Sequence, residues 1–146
     1  MQGCLFLCFF TLVMLVTSQG HTQQARREPA YVPPGPDWMR SQDADNSVTW
    51  LHLSTRRRQA NFAQIWEVRN FKAGHEFCQP GWGCSASFRT LLEFDCRERR
   101  YRELAVSTHA GTGGQGRVIF QDNQPNQWAY IPPGTVAETT MSTACR

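Results

Sequence analysis

Cys96 and Cys145 constrain this chain more than any other pair of its residues. Cys96 closes the run Phe88-Arg89-Thr90-Leu91-Leu92-Glu93-Phe94-Asp95-Cys96. There Phe88, Thr90, Leu92, Phe94 and Cys96 share one face opposite Arg89, Glu93 and Asp95, the period of a half-buried strand with Cys96 pointing inward. Cys145 ends a segment of helical spacing. Thr135 and Glu138 open it as a capping box, in which each side chain satisfies an otherwise orphaned amide. Val136, Thr140 and Ala144 then form one stripe, with Ala137, Met141 and Cys145 beside it. A bond between Cys96 and Cys145 staples a terminal helix onto a sheet, and such a bond persists only outside the reducing cytoplasm.

Cys78 and Cys84 flank the tight turn Gln79-Pro80-Gly81-Trp82-Gly83. Four cysteines allow three pairings, and this spacing selects 78–84 together with 96–145. A zinc site is the rival reading of the thiols, but neither a CxxC pair nor a histidine at ligand spacing supports it. In the chain-entropy model the two closures are worth about 4 and about 2 kcal/mol respectively. Cross-links of that size matter to a domain of roughly 125 residues with a modest core.

The N-terminus agrees with an oxidising destination. Leu5 to Val16 is apolar except for Thr11, and small or polar residues follow at Thr17, Ser18 and Gly20. The run is too short for a bilayer span and right for a signal-peptide core, so residues 1–20 read as a signal peptide. Cys4 and Cys8 lie before or inside the apolar core, which argues for export without a lipid anchor. Residues 21–37, with four prolines and few apolar side chains, read as a flexible leader, and residues 38–146 as one domain. The net charge is +3, and every basic residue but Lys72 is arginine. That bias is more often a mark of a GC-rich genome than of a binding function, and it points towards a bacterium.

Further strands are expected at Val48–Leu53 and Ala60–Phe71, with Arg56-Arg57-Arg58 as a polar hairpin turn before the second. Phe62, Trp66 and Val68 alternate with Asn61, Glu67 and Arg69. Arg97–His109 makes another strand after a reversal near Arg97-Glu98. Tyr101 cannot share a face with both Leu104 and Val106 unless a bulge intervenes. Val118–Phe120 is a short strand. The architecture is therefore α+β: an antiparallel sheet of five to six strands with one C-terminal helix packed on it and disulfide-linked to it.

No catalytic or metal-binding motif emerges, and no cofactor is implied. Gly111-Thr112-Gly113-Gly114-Gln115-Gly116 satisfies GxGxxG, yet Arg117 and Val118 lead into a strand rather than a helix, so it reads as a hairpin loop. His52, His75 and His109 have no nucleophile partner and form no i, i+4 pair. Arg97, Arg99, Arg100 and Arg102, interleaved with Glu98 and Glu103, form the densest basic patch, and Arg56, Arg57 and Arg58 the second. Each patch is read first as a solvated, partly self-neutralised strand or turn, and second as a surface for an anionic partner. Trp82, held in the cystine loop, either packs on the sheet or faces a partner. Nucleic acid does not suit an exported domain of this charge.

Leu92-Glu93-Phe94-Asp95-Cys96-Arg97-Glu98-Arg99-Arg100-Tyr101-Arg102 resembles the surface-adhesin protein E family of Gram-negative bacteria. So do Trp128-Ala129-Tyr130-Ile131-Pro132-Pro133-Gly134-Thr135 and the terminal Cys145. The resemblance implies a twisted antiparallel sheet, a C-terminal helix and a disulfide between them. It also implies adhesion to host matrix proteins such as vitronectin and laminin, without enzymatic activity. The expected function is an exported, non-catalytic binding module that contacts a host matrix protein, an anionic glycan or another envelope partner. Its location is the periplasm, the outer-membrane surface or the medium. The alternatives are a periplasmic envelope protein and a ligand carrier or enzyme with a pocket near Trp66, His52 and His109. On the export reading, mass spectrometry of the fractionated protein should find a new N-terminus after Ser18 or Gly20 and no added acyl mass; an intact Met1 overturns it.

Overall fold

The computed structural model describes residues 28–146. The expected signal peptide and the start of the expected leader therefore lie outside the described residues. The strands are β1 (Trp38–Asp43), β2 (Ser47–Gln59), β3 (Phe62–Phe71), β4 (Phe77–Gln79), β5 (Gly83–Ser85), β6 (Ser87–Asp95), β7 (Arg100–His109), β8 (Val118–Asp122) and β9 (Ala129–Tyr130), followed by the helix α1 (Val136–Ala144). An antiparallel sheet runs β1-β2-β3-β6-β7-β8, with β9 adding to β7 beyond the reach of β8. It has seven strands rather than five to six. The extra ones escape notice for a physical reason: β1 shows no clean alternation of apolar and polar residues, and β9 is only two residues long. β4 and β5 form a separate hairpin.

The arginine triplet is not a turn. β2 continues through Arg56, Arg57 and Arg58, and Arg57, Arg58 and Gln59 pair with Gln64, Ala63 and Phe62. The reversal falls one step later, where Ala60 takes a left-handed φ of 50°. The next reversal occupies Cys96–Arg99 rather than opening a strand at Arg97. Asp95 Oδ1 accepts from the amides of Arg97 and Glu98 at 3.2 and 3.1 Å, the local bonding by which an aspartate fixes a turn. The expected bulge is present: Leu91 pairs with Ala105 and Leu92 with Glu103, so Leu104 is the extra residue.

Both faces of the sheet are covered, which is why Val48, Thr49, Trp50 and Leu51 are buried in unbroken succession. On the first face α1 lays Met141 and Ala144 against Leu51, Ala63, Ile65, Leu92, Phe94 and Ile131. Each fully buried aliphatic or aromatic side chain there is worth about 1.5–3 kcal/mol. Thr135 Oγ1 accepts from the Glu138 amide at 3.4 Å, and Glu138 Oε2 accepts from the Gly134 amide at 2.8 Å, so the capping box forms with its return bond one residue upstream.

On the second face Val48 and Trp50 pack with Ala30, whose carbonyl accepts from Trp50 Nε1 at 3.2 Å. Residues 28–37, read from the sequence as leader, thus contribute a short 3-10 turn (Pro29–Tyr31) to the packed body. The glycine-rich segment also folds onto this face. Asn70 Oδ1 accepts from the Gly113 amide at 2.7 Å, and Ser87 Oγ accepts from the Gly114 amide at 3.0 Å. Gly114 has φ +70°, and a Cβ there would meet Arg89 Cδ at 3.3 Å. Its glycines serve a turn and a close approach to the sheet, not a phosphate.

Cys96 and Cys145 are bonded with their Cα atoms 5.9 Å apart, and Cys78 and Cys84 with theirs 4.0 Å apart. The sequence separations are 49 and 6 residues. Replacing Cys96 and Cys145 by alanine should therefore lower the stability by up to about 4 kcal/mol, and replacing Cys78 and Cys84 by about 2 kcal/mol. Urea denaturation of the two double variants measures this directly; the opposite order would show that the short loop, not the helix staple, holds the domain.

Candidate partner-binding surface

Residues paired across antiparallel strands share a face, and this places two rungs on the second face at one end of the sheet. One rung is Arg57, Gln64, Glu93 and Arg102; the next is Gln59, Phe62, Asp95, Arg100 and Tyr130. Glu93 Oε2 accepts from Arg102 Nε at 2.7 Å and its other oxygen from Gln64 Nε2 at 2.8 Å. Asp95, only 4% exposed, accepts from Arg100 Nη2 at 3.0 Å. The Glu98 amide and then Arg100 hold the Asp95 carboxyl below its usual range.

These carboxylates fix the arginines but do not cover them. The Arg100 and Arg102 guanidiniums lie 5.0 and 4.5 Å from the centre of the Trp128 ring, within cation–π range. Phe62 lies 6.0 Å from the same ring. Phe62 is 40% exposed and Tyr130 80% exposed. Beside them a cavity of about 350 Å³ is lined by Arg57, Arg58, Gln59, Phe62, Gln64 and Glu93. The result is an arginine–aromatic surface on a rigid sheet.

The other candidates divide. Arg56 donates to the Thr143 carbonyl at 3.3 Å, closing the C-terminal end of α1. Arg99 pairs with Glu138. The Gly134 amide, followed by Arg99, lowers the pKa of Glu138. Arg97 is exposed and reaches Glu98 at 3.8 Å. Trp82 stands apart, on the first face at the opposite end of the sheet, half exposed and edge-on to Phe120 at 5.5 Å. Arg57, Arg100 and Arg102 thus share the second face, Arg58 borders the same cavity but pairs with Ala63 of the helix face, and Arg56 and Arg99 are engaged with the helix.

Trp128, Tyr130 and Phe62 were missed as site residues. The sequence carries part of the signal, since Phe62 alternates in phase with Trp66 and Val68 and Trp128-Ala129-Tyr130 lies in the segment that resembles the protein E family. Only the pairing of β9 with β7 brings them beside the arginines.

The histidines do not converge. His52 and His109 sit on strands three spacings apart and four residues offset, roughly 20 Å from each other. His52 stacks on Trp38 at 4.5 Å. His109 is bonded to Ser107 at 2.9 Å, with its pKa lowered by burial. Among the described residues, no cluster of three or more His, Cys, Asp or Glu could hold a metal ion.

A seven-stranded antiparallel sheet with a disulfide-tethered C-terminal helix packed on one face is the architecture on which these residues are displayed. The chain belongs to the surface-adhesin protein E family, whose model matches residues 38–146. A crystal form of Haemophilus influenzae protein E superposes with a TM-score of 0.58 over 81% of this chain and 92% of that one, at 13% identity. Protein E from non-typeable Haemophilus influenzae superposes with a TM-score of 0.53 over 78% of each chain, also at 13% identity. At that identity the likeness is one of fold. No curated protein matches the chain in sequence. Among the described residues no helix is long and apolar enough to cross a membrane.

Glu67, beneath α1, is the one strongly buried acid whose pKa rises. Burial pushes it up, against the pull of Arg69 and the hydrogen bond from Thr140 Oγ1 at 3.4 Å. A carboxyl raised in the folded state contributes stability that is complete below its unfolded pKa and is lost as pH climbs through the folded value. Glu67→Gln keeps the Thr140 bond and removes that loss. It should raise Tm by a few °C at pH 7, with the advantage gone near about pH 4. Thermal melts at both values check it; equal melting at pH 7 would refute the burial argument.

Proposed function

We propose that this protein is an exported, non-catalytic binding module that engages a host extracellular-matrix protein through the arginine–aromatic end of its sheet. One observation carries the reading: Trp128 is held against Arg100 and Arg102, at the same end of the same face as exposed Phe62 and Tyr130. Tyrosine, tryptophan and arginine are the side chains that dominate interface energetics, because they combine large contact area with directional polar groups. The carboxylates of Glu93 and Asp95 preorganise the two arginines, which reduces the ordering cost of binding. Arg57, Arg58 and Arg97 extend the surface with positive charge and steer acidic partners.

Family membership supports a surface role, and two disulfides support an oxidising compartment. The place that fits both is the outer-membrane surface or the medium. A catalytic or carrier site around Trp66, His52 and His109 has no geometric support. Arg89 covers Trp66 at 4.7 Å, and the two histidines are far apart.

Binding to immobilised vitronectin and laminin, the matrix proteins the family resemblance implies, tests the proposal by surface plasmon resonance. Tyr130→Ala combined with Trp128→Ala should weaken binding about tenfold or more, a loss of about 1.4 kcal/mol or greater. Arg57→Glu with Arg58→Glu should slow association and reduce its salt dependence. Unchanged affinity in both double variants, with the melting transition intact, would dispose of this surface as the binding site.

A further inference from the structure

The first face carries a second feature, at the end of the sheet away from the arginine–aromatic patch. Beneath the β4–β5 hairpin lies a cavity of about 390 Å³ walled by Phe77, Trp82, Phe88, Val106, Ile119 and Phe120. That volume falls within the range of small-ligand sites, about 300–1,000 Å³. Its polar wall groups, Gln79, Ser85 and Thr108, are all uncharged. Burying a charge there would carry a desolvation cost with no counterion to offset it.

The walls are pre-formed. The Cys78–Cys84 bond closes the hairpin, and Phe77 packs edge-on against Phe88 at 5.1 Å while Trp82 packs edge-on against Phe120 at 5.5 Å. Yet Phe77 and Trp82 remain 41% and 52% exposed. Two large aromatic groups rigidly held over an apolar hollow and left half in water are what a ligand would cover.

At the rim, Arg117 supplies a charge. A Cβ built on Gly83, itself a wall residue, would lie 3.9 Å from Arg117 Nη2. Arg117 is exposed, and among the described residues it makes no ion pair with a carboxylate. A guanidinium in water at the edge of an uncharged apolar cavity complements one kind of molecule. Its apolar body is desolvated inside, and its carboxylate stays at the mouth in a paired, charge-assisted hydrogen bond.

We propose that this cavity binds an amphipathic monocarboxylate, with its apolar chain under Trp82 and its carboxylate on Arg117. The site is separate from the surface assigned to matrix binding, so each can fail without the other. Isothermal titration calorimetry of the full disulfide-bonded protein with dodecanoate, and with 1-dodecanol as the uncharged control, tests it. Dodecanoate should bind with one-to-one stoichiometry and about tenfold more tightly than dodecanol. Arg117→Gln should remove that difference without changing dodecanol binding. Ile119→Trp, which fills the cavity, should abolish both. Near-UV circular dichroism and the melting transition establish that each variant is folded, and an unfolded Ile119→Trp is replaced by Ile119→Phe.

The assignment is overturned if dodecanoate shows no saturable binding below its micelle concentration. It is overturned equally if Arg117→Gln leaves the preference intact or if the filled variant binds as well as the parent. Phosphatidylglycerol vesicles provide the last arm. Adsorption to vesicles that survives Ile119→Trp, in place of dodecanoate binding, would make this face a membrane contact and end the small-ligand reading.

Discussion

The bond between Cys145 and Cys96 decides where everything at the C-terminus can go. α1 is nine residues long, too short to be stable on its own. Its position depends on two anchors, the disulfide at its last turn and the Arg99–Glu138 pair with the capping bonds at its first. Between them Thr140, Met141 and Ala144 are pressed onto the first face. Ile131 is pinned as well, through its amide to the Arg99 carbonyl at 3.1 Å. That bond sets β9 alongside β7 and so delivers Trp128 and Tyr130 to the arginines of the turn end. Ile131 also packs in the core cluster with Met141 and Ala144 of α1, so the helix face and the position of β9 share one core.

The two sheet faces use different physics. The first is closed by apolar packing of a helix, at one end, and of a disulfide-bonded hairpin, at the other. The second is closed mainly by hydrogen bonds from irregular backbone, in which the Asn70 side chain, fully buried, bridges the Ala30 carbonyl and the Gly113 amide. An unpaired buried amide is expensive, so this arrangement is sensitive to the identity of one side chain in a way the helix face is not. It also explains why the glycine-rich segment has its composition: backbone, rather than side chains, forms the lid.

Much of the helix and of β6 could be read directly, because the apolar side chains of each keep mostly to one face, and in β6 the buried charges Glu93 and Asp95 keep to the other. The disulfide pairing followed from the inward phase of Cys96 and the tight loop between Cys78 and Cys84. β1 and the extension of β2 through Arg56–Arg58 could not be read in the same way. Long arginine side chains can keep their charge in water from a strand as well as from a turn, so composition did not distinguish the two. The residues of the proposed surface were legible only in part. Its arginines stood out by density, but their division into structural and available groups depends on partners distant in sequence: Thr143 for Arg56, Glu138 for Arg99, Trp128 for Arg100 and Arg102. Long-range pairing of this kind leaves no local pattern.

Charge placement around the helix gives the molecule a defined response to acid. Glu138 is half-buried, and its carboxyl is held low by the Gly134 amide and Arg99, so its contribution is present above the unfolded pKa and fades as pH falls through the folded value. Glu67 behaves in the opposite sense, since burial raises its pKa and ionisation opposes folding as pH rises. The two act on the same element from opposite ends of the scale: acid weakens the cap at the start of α1 while relieving the charge beneath it. Between them the disulfide is indifferent to protons. The tether at the last turn of the helix thus carries no proton dependence of its own, while the bonds at its first turn and the carboxyl beneath it do.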